Sequence, residues 1–180
     1  MTEGRNNLPL SRGDWTLARY LSERAPEPRP PIVHAHDDIL HVAKLAVGAA
    51  RSRAVYVVDE HGRYVGTITD RNLAREVFSR LDPGLYVNEH AHAKLKISRL
   101  SEDATRLTAQ SLITVRQRPL RALDTLAESM SVLYGADNDE LPVVSETNHL
   151  VGVIRVHDIL REWVEDTLLV RLGDETESFY

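Results

Sequence analysis

Two stretches of this chain place chemically active side chains at the same spot in a repeated frame: RYVGTITDRNLARE, Arg63 to Glu76, and HLVGVIRVHDILRE, His149 to Glu162. The copies share Val65/Val151, Gly66/Gly152, Ile68/Ile154, Arg75/Arg161 and Glu76/Glu162. They differ just after the second apolar pair, where the first carries Thr69, Arg71 and Asn72 and the second Arg155, His157 and Asp158. An apolar run giving way to a helical pattern predicts a strand that turns into a helix at those polar residues. The N-terminus of a helix presents free N–H groups and partial positive charge to an anion, a carboxylate can accept from two vicinal hydroxyls, and a guanidinium can grip phosphate bidentately. A ligand-binding turn would do its chemistry here.

Histidines are the second candidate. His34, His36 and His41, and the pair His90 and His92, invite a metal, because His-x-His on a strand sends both rings to one side. No carboxylate or cysteine stands at a recognisable ligand spacing from them, so loop histidines are the simpler expectation. Gly-x-Ser-x-Gly, the P-loop, the Rossmann glycines and the zinc-protease signature are all absent from the sequence, which leaves an enzyme reading without support.

Composition narrows the classes further. With 42% hydrophobic and 27% charged residues in 180, the chain is long enough for a core and far from the disordered regime. A net charge of -5 gives no reason to expect a nucleic-acid partner. Cysteine is absent, which excludes disulfides and thiolate catalysis. No apolar leader opens the sequence and no run of about 18 apolar residues occurs, so a cytoplasmic protein without membrane insertion is expected.

The elements that must position the polar turns follow from periodicity. Asp14 is placed to cap a short helix through Trp15, Leu17, Ala18 and Leu21, which ends before the prolines at 26, 28, 30 and 31. IVHAH from Ile32 reads as a short strand, and Ile39, Val42, Ala43, Ala46, Val47 and Ala50 as one face of a helix opened by Asp37 or Asp38. AVYVV from Ala54, the turn DEHG, and RYVGTI form a hairpin, closed by a helix through Leu73, Val77, Phe78 and Leu81. The second copy reads in the same order: a strand SLITV from Ser111, a helix carrying Leu120, Leu123, Leu126, Ala127 and Met130, and a strand LPVV from Leu141. The turn SETNH, the strand LVGVI and a helix through Ile159, Leu160, Trp163 and Val164 complete it. SEDATRLTA from Ser101 looks like a capped helix leading in.

That element order, with VVDEHGRYVGTITDRNL and LPVVSETNHLVGVIRVHDIL, resembles the CBS domain, and two copies resemble a Bateman pair over Pro31 to Asp166. The resemblance implies a mixed α/β fold of two tandem repeats. Each would be a small three-stranded sheet with two helices, the two packed face to face with pseudo-two-fold symmetry. The first repeat would span 31–81, a joining segment 82–110 and the second repeat 111–168. An N-terminal helix and proline-rich connector, 1–30, and an acidic tail, 169–180, would flank them.

Modules of this family bind AMP, ADP, ATP, other adenosine compounds or no recognisable ligand, usually to regulate a partner, and require no cofactor. A family turn of the form Gly-x-x-Thr-x-x-Asp sets the hydroxyl near a phosphate and the carboxylate on the ribose. Here the first copy keeps Thr69 but has Asn72, and the second keeps Asp158 but has Arg155. Asn72 lacks the charge of a carboxylate, which costs about 1 kcal/mol and makes the first cleft the weaker. Arg155 can grip phosphate or pair with Asp158 at i, i+3. Arg71 and His157 stand beside the Asn and Asp positions and can each reach a phosphate. By position, adenine would meet Ser111, Ile113, Leu141 and Pro142 in the second half, and Ile32, Val33, Val55 and Tyr56 in the first; all of them are equally candidates for core.

Two functions follow from the resemblance. One is a sensor that binds adenine nucleotide in the cleft between the repeats and signals to a partner protein that the sequence does not specify. The other is a ligand-free homodimerisation scaffold joined through helices carrying Val77, Phe78, Trp163 and Val164. An Arg155 that points into the cleft favours the sensor, and an Arg155 paired to Asp158 favours the scaffold.

Overall fold

The computed structural model describes residues 12–24, 28–49, 52–80, 106–113, 118–135 and 139–177, with backbone alone for 77–80 and 169–177. In chain order the elements are α1 (Leu17–Glu23), β1 (Ile32–His34), α2 (Ile39–Gly48), β2 (Ala54–Val58), β3 (Tyr64–Thr69) and α3 (Asp70–Arg80). They are followed by α4 (Ala109–Leu112), β4 (Leu120–Arg121), α5 (Leu126–Gly135), β5 (Glu140–Val144), β6 (Leu150–Arg155) and α6 (Val156–Glu177). The fold is mixed α/β with two three-stranded sheets, ordered β1-β2-β3 and β4-β5-β6.

The chain forms two compact units, and neither is one continuous stretch of sequence. The first-repeat unit takes the ranges 28–118 and 147–150; the second-repeat unit takes 1–27, 119–146 and 151–180.

In the first-repeat unit β1 runs parallel to β2, with Val33 opposite Val57, and β2 pairs antiparallel with β3. All five residues of β2 are buried, as the unbroken apolar run AVYVV requires of a central strand. Asp59 tightens the β2–β3 turn by accepting from the N–H groups of His61 and Arg63, at 2.9 and 2.8 Å, and Gly62 supplies the positive φ of 75°. Asp38 caps α2 through the His41 N–H at 2.8 Å. The core gathers Val33, Ile39, Val42, Val55, Val57, Ile68 and Leu73, and it is completed by Ala109 and Leu112 of α4. The N–H groups of Ala109 and Gln110 donate to the carbonyls of Asp37 and Ala35, at 2.8 and 3.0 Å.

The second-repeat unit repeats this plan with α1 in the place of α4. Leu120 of β4 lies parallel and opposite Val143 of β5. Leu17 and Tyr20 of α1 join Leu120, Leu126, Leu133, Leu141, Val143, Ile154 and Ile159 in its core. The N–H groups of Leu17 and Ala18 donate to the carbonyls of Asp124 and Ala122, at 2.8 and 2.9 Å. Each short helix thus completes the sheet it does not directly precede in sequence.

The shared glycines are explained by the same exchange. A Cβ on Gly66 would stand 2.7 Å from Ile113 Cγ2, and one on Gly152 would stand 2.8 Å from Leu21 Cδ1.

Thr125 and Glu128 form a reciprocal cap at the start of α5. Thr125 Oγ1 accepts from the Glu128 N–H at 3.2 Å, and Glu128 Oε2 accepts from the Thr125 N–H at 2.8 Å. The Thr125 N–H, and after it the Thr125 hydroxyl, which donates to the same Oε2 at 3.1 Å, hold the Glu128 carboxyl below its ordinary range. The folded value being depressed, the cap contributes stability above the unfolded pKa and loses it as pH falls through the folded value. A carbon-detected NMR titration is expected to give Glu128 a midpoint below the ordinary range of a glutamate.

Several expected elements differ. The described part of SLITV is not a strand: Ser111 and Leu112 end α4 and Ile113 is its C-cap, while Thr114 and Val115 lie outside the described residues. The strand that pairs with β5 is Leu120–Arg121, so Leu120 and Leu123 do not belong to a helix, which starts only at Leu126. A two-residue strand leaves no alternation to detect. Thr16, rather than Asp14, caps α1, accepting from the Arg19 N–H at 3.3 Å. Helix α6 runs on to Glu177, through most of the segment expected to be a tail. His90, His92, Ala50 and the start of SEDATRLTA lie outside the described residues.

Candidate functional site

Both polar turns occur where the repeat places them, at the junctions β3–α3 and β6–α6. In the first, Thr69 Oγ1 accepts from the Asn72 N–H at 3.2 Å, the bond of an N-cap. Asn72 Oδ1 in turn accepts from Arg75 Nη2 at 3.1 Å, in an exposed contact. Arg71 is exposed, and Thr69 and Asn72 are half-buried. A hydroxyl and an amide held by short-range bonds that border solvent thus sit at the N-terminal end of an 11-residue helix, with the exposed Arg71 beside them. Thr69→Ala is expected to destabilise the first-repeat unit by about 1 kcal/mol, the usual cost of removing a cap, measured by urea unfolding.

The second turn is closed by protein groups. Asp158, 1% exposed, receives two donors on Oδ2: the Arg155 N–H at 2.9 Å and Arg24 Nη1 at 3.3 Å. The Arg155 guanidinium lies elsewhere, its Nε 3.2 Å from Oε2 of Glu140, itself buried at the start of β5. An Arg155–Asp158 side-chain pair is therefore not what joins these residues; the main-chain N–H of Arg155 does. One turn further along α6, the buried Glu162 takes Arg12 Nη1 at 3.1 and 3.2 Å and the hydroxyl of Tyr20. Burial above all, with the negative charges of Glu162 and Asp158 behind it, raises the Tyr20 pKa, so the phenol stays protonated and donates. Arg12 and Arg19 stand over the ring of Trp15 at 5.2 and 3.9 Å, orienting the segment that delivers these cations. His157 is exposed.

The residues expected to meet adenine divide between the units. Val33 and Tyr56 are buried in the first sheet, Val33 in the core cluster itself. Pro142 is buried in β5. Ser111 and Ile113 belong to the first-repeat unit, on α4 and its cap, with Ile113 over Gly66. The position in the second sheet that corresponds to Val33 is Leu120, opposite Val143 as Val33 is opposite Val57.

Arg12, Tyr20, Arg24 and Glu140 were not singled out in the sequence, and Glu162 only as a position shared with Glu76. Asp158 and Glu162 at i, i+4 are legible as one face of a helix. Nothing local marks Arg24 as the partner of a residue 134 positions away.

Among the described residues no group of three or more His, Cys, Asp or Glu could hold a metal ion. His34 and His36 stack on each other with ring centroids 5.7 Å apart. No helix among the described residues is long and apolar enough to cross a membrane.

Comparisons with known proteins agree with this architecture. A family model described as CBS domain matches residues 23–79 and 110–165, more than half of the chain. An uncharacterized 33.4 kDa protein in the ribosomal RNA operon of Thermofilum pendens is 27% identical over 83% of this chain. Arabinose 5-phosphate isomerase KdsD of Pseudomonas aeruginosa is 29% identical over 60% of it. The chain spans only 41% and 27% of the lengths of those relatives. Among solved structures, the CBS domain of a CBS domain-containing membrane protein from Sphaerobacter thermophilus matches with TM-score 0.60 at 20% identity, covering 84% of this chain and 89% of that one. CBSX2 in complex with AMP matches with TM-score 0.57 at 18% identity, covering 87% and 98%.

Proposed function

Since this chain belongs to the CBS-domain family, carrying two matched repeats, we propose that it is a regulatory module that takes an adenine nucleotide, AMP, ADP or ATP, at the first repeat's turn. The observation that carries this reading is the contrast between the two turns. Thr69 and Asn72 are held by exposed or half-buried local bonds that a phosphate and a ribose can replace, with Arg71 exposed beside them, whereas Asp158 and Arg155 are already engaged by Arg24 and Glu140. The preference expected from residue types alone, which made the first cleft the weaker, is thereby reversed. Support also comes from the AMP complex of CBSX2, a structural neighbour. The nucleotide acts on a partner protein through its different affinity for two states of the module.

Thermal unfolding with AMP, ADP and ATP tests the reading. A ligand at 100 times its dissociation constant stabilises by about 2.7 kcal/mol, and Thr69→Ala with Arg71→Ala is expected to abolish the shift while Asp158→Asn keeps it. The absence of a shift with all three nucleotides would overturn it in favour of a dimerisation scaffold. A specific observation gives that second reading its content: Leu160, Trp163, Val164 and Leu168 are exposed on α6, at a spacing that makes one apolar stripe. A homodimer formed through this stripe is expected to dissociate in Trp163→Glu, read by sedimentation velocity.

A further inference from the structure

Asp158 is buried, yet it does not lack a cation. Its Oδ2 is shared between the Arg155 N–H and Arg24 Nη1, and the Arg24 side chain is itself only 14% exposed. Arg24 caps the end of α1, where its own N–H donates to the Tyr20 carbonyl at 3.1 Å. Arg12, before the same helix, reaches Glu162, and Tyr20 in the middle of it bonds Glu162 as well. The segment therefore presents two guanidinium groups and a phenol to two acids spaced one turn apart on α6.

Resting on the nucleotide reading above, we propose that Arg24 is an internal ligand of the second repeat. It fills the carboxylate that a ribose would otherwise engage, so that the chain accepts one nucleotide, at the first repeat, and a second only when Arg24 is displaced. The chemistry favours the resident group. A sugar diol is neutral and offers two ordinary hydrogen bonds, whereas the guanidinium offers a charge-assisted one to a carboxylate that is 1% exposed. Arg155 adds nothing to attract phosphate here, its guanidinium being turned to Glu140.

The number of nucleotides bound per chain decides this. Titration calorimetry with AMP and with ATP is expected to give one site for the unaltered chain, two for Arg24→Met, which keeps most of the aliphatic stem, and one again for Arg24→Met with Asp158→Asn. Equal numbers for the unaltered chain and Arg24→Met overturn the internal ligand. None for the unaltered chain and one for Arg24→Met keeps the internal ligand and overturns the first-repeat reading instead. A measurement on the unaltered chain covers the case in which Arg24→Met does not fold. The side-chain carboxyl carbon of Asp158 and the guanidinium nitrogens of Arg24 are expected to keep their NMR shifts at saturating AMP while the Thr69 and Asn72 signals move. Movement of the Asp158 and Arg24 signals with AMP overturns the proposal.

Discussion

Asp158→Ala is expected to lower the unfolding free energy by about 3 kcal/mol. The carboxylate is 1% exposed and Arg24 is only 14% exposed, so its removal leaves a guanidinium with little water to replace it. Breaking one side of a buried pair typically costs roughly 3 to 5 kcal/mol, most of it the penalty on the charge left behind. The lower end applies because Arg24 is not sealed from solvent. The change also removes the acceptor for the Arg155 N–H at the first turn of α6, a further loss of a charge-assisted bond. Asp158→Asn keeps a carbonyl oxygen for that N–H and is expected to cost about half as much. Urea unfolding followed by tryptophan fluorescence measures both, since Trp15 and Trp163 lie on segments of the same unit. A loss below about 1 kcal/mol for Asp158→Ala would mean that the Arg24 contact does not hold in solution.

The second large effect falls on the shared glycines, and the two copies are expected to respond unequally. Neither glycine has a positive φ, so the need for glycine is one of space alone. At Gly66 an added methyl meets Ile113 Cγ2 at 2.7 Å, a branch fixed to the Cβ of a stiff side chain. At Gly152 it meets Leu21 Cδ1 at 2.8 Å, the far end of a side chain that can turn away. Gly66→Ala is therefore expected to cost about 1 to 3 kcal/mol by overpacking, and Gly152→Ala less than about 1 kcal/mol. Combining Gly66→Ala with Ile113→Ala should cost less than the sum of the two singles, the signature of a direct contact. An equal or reversed order in urea unfolding would contradict the packing of α4 on β3.

Repeated pattern was the legible part of this fold. The strands at Ile32, Ala54, Tyr64, Glu140 and Leu150 follow from apolar runs bounded by turn residues, and α2 from its apolar spacing. The second repeat was misread at one point, the residues between Ser111 and Leu126, because the reading assumed that each copy builds its sheet from consecutive sequence. A strand of two residues and a helix of four carry almost no periodic signal, and only the pairing Leu120 with Val143 fixes them. The candidate turns were legible as positions, since the frame of 63–76 recurs at 149–162. Their charge state was not. Whether Asp158 meets solvent, Arg155 or Arg24 depends on which distant segment covers α6, and that is set by the apolar fit of Leu17, Tyr20 and Leu21 around the second sheet. Sequence spacing can propose an i, i+3 pair; it has no means of ranking it against a cation delivered from elsewhere.

The placement of α1 also sets an order of assembly during synthesis. Leu17 and Tyr20 leave the ribosome well before the strands that bury them, β5 and β6. The N-terminal helix must stay unspent while the first-repeat sheet forms, its apolar side exposed and its guanidinium groups in water. The first-repeat unit is itself finished only by Ala109 and Leu112, which belong to the lead-in of the second repeat. Closing contacts over such long separations slows folding and prolongs exposure of the apolar surface. A chain halted between the two repeats would thus hold a complete first sheet and a helix whose own sheet is not yet made.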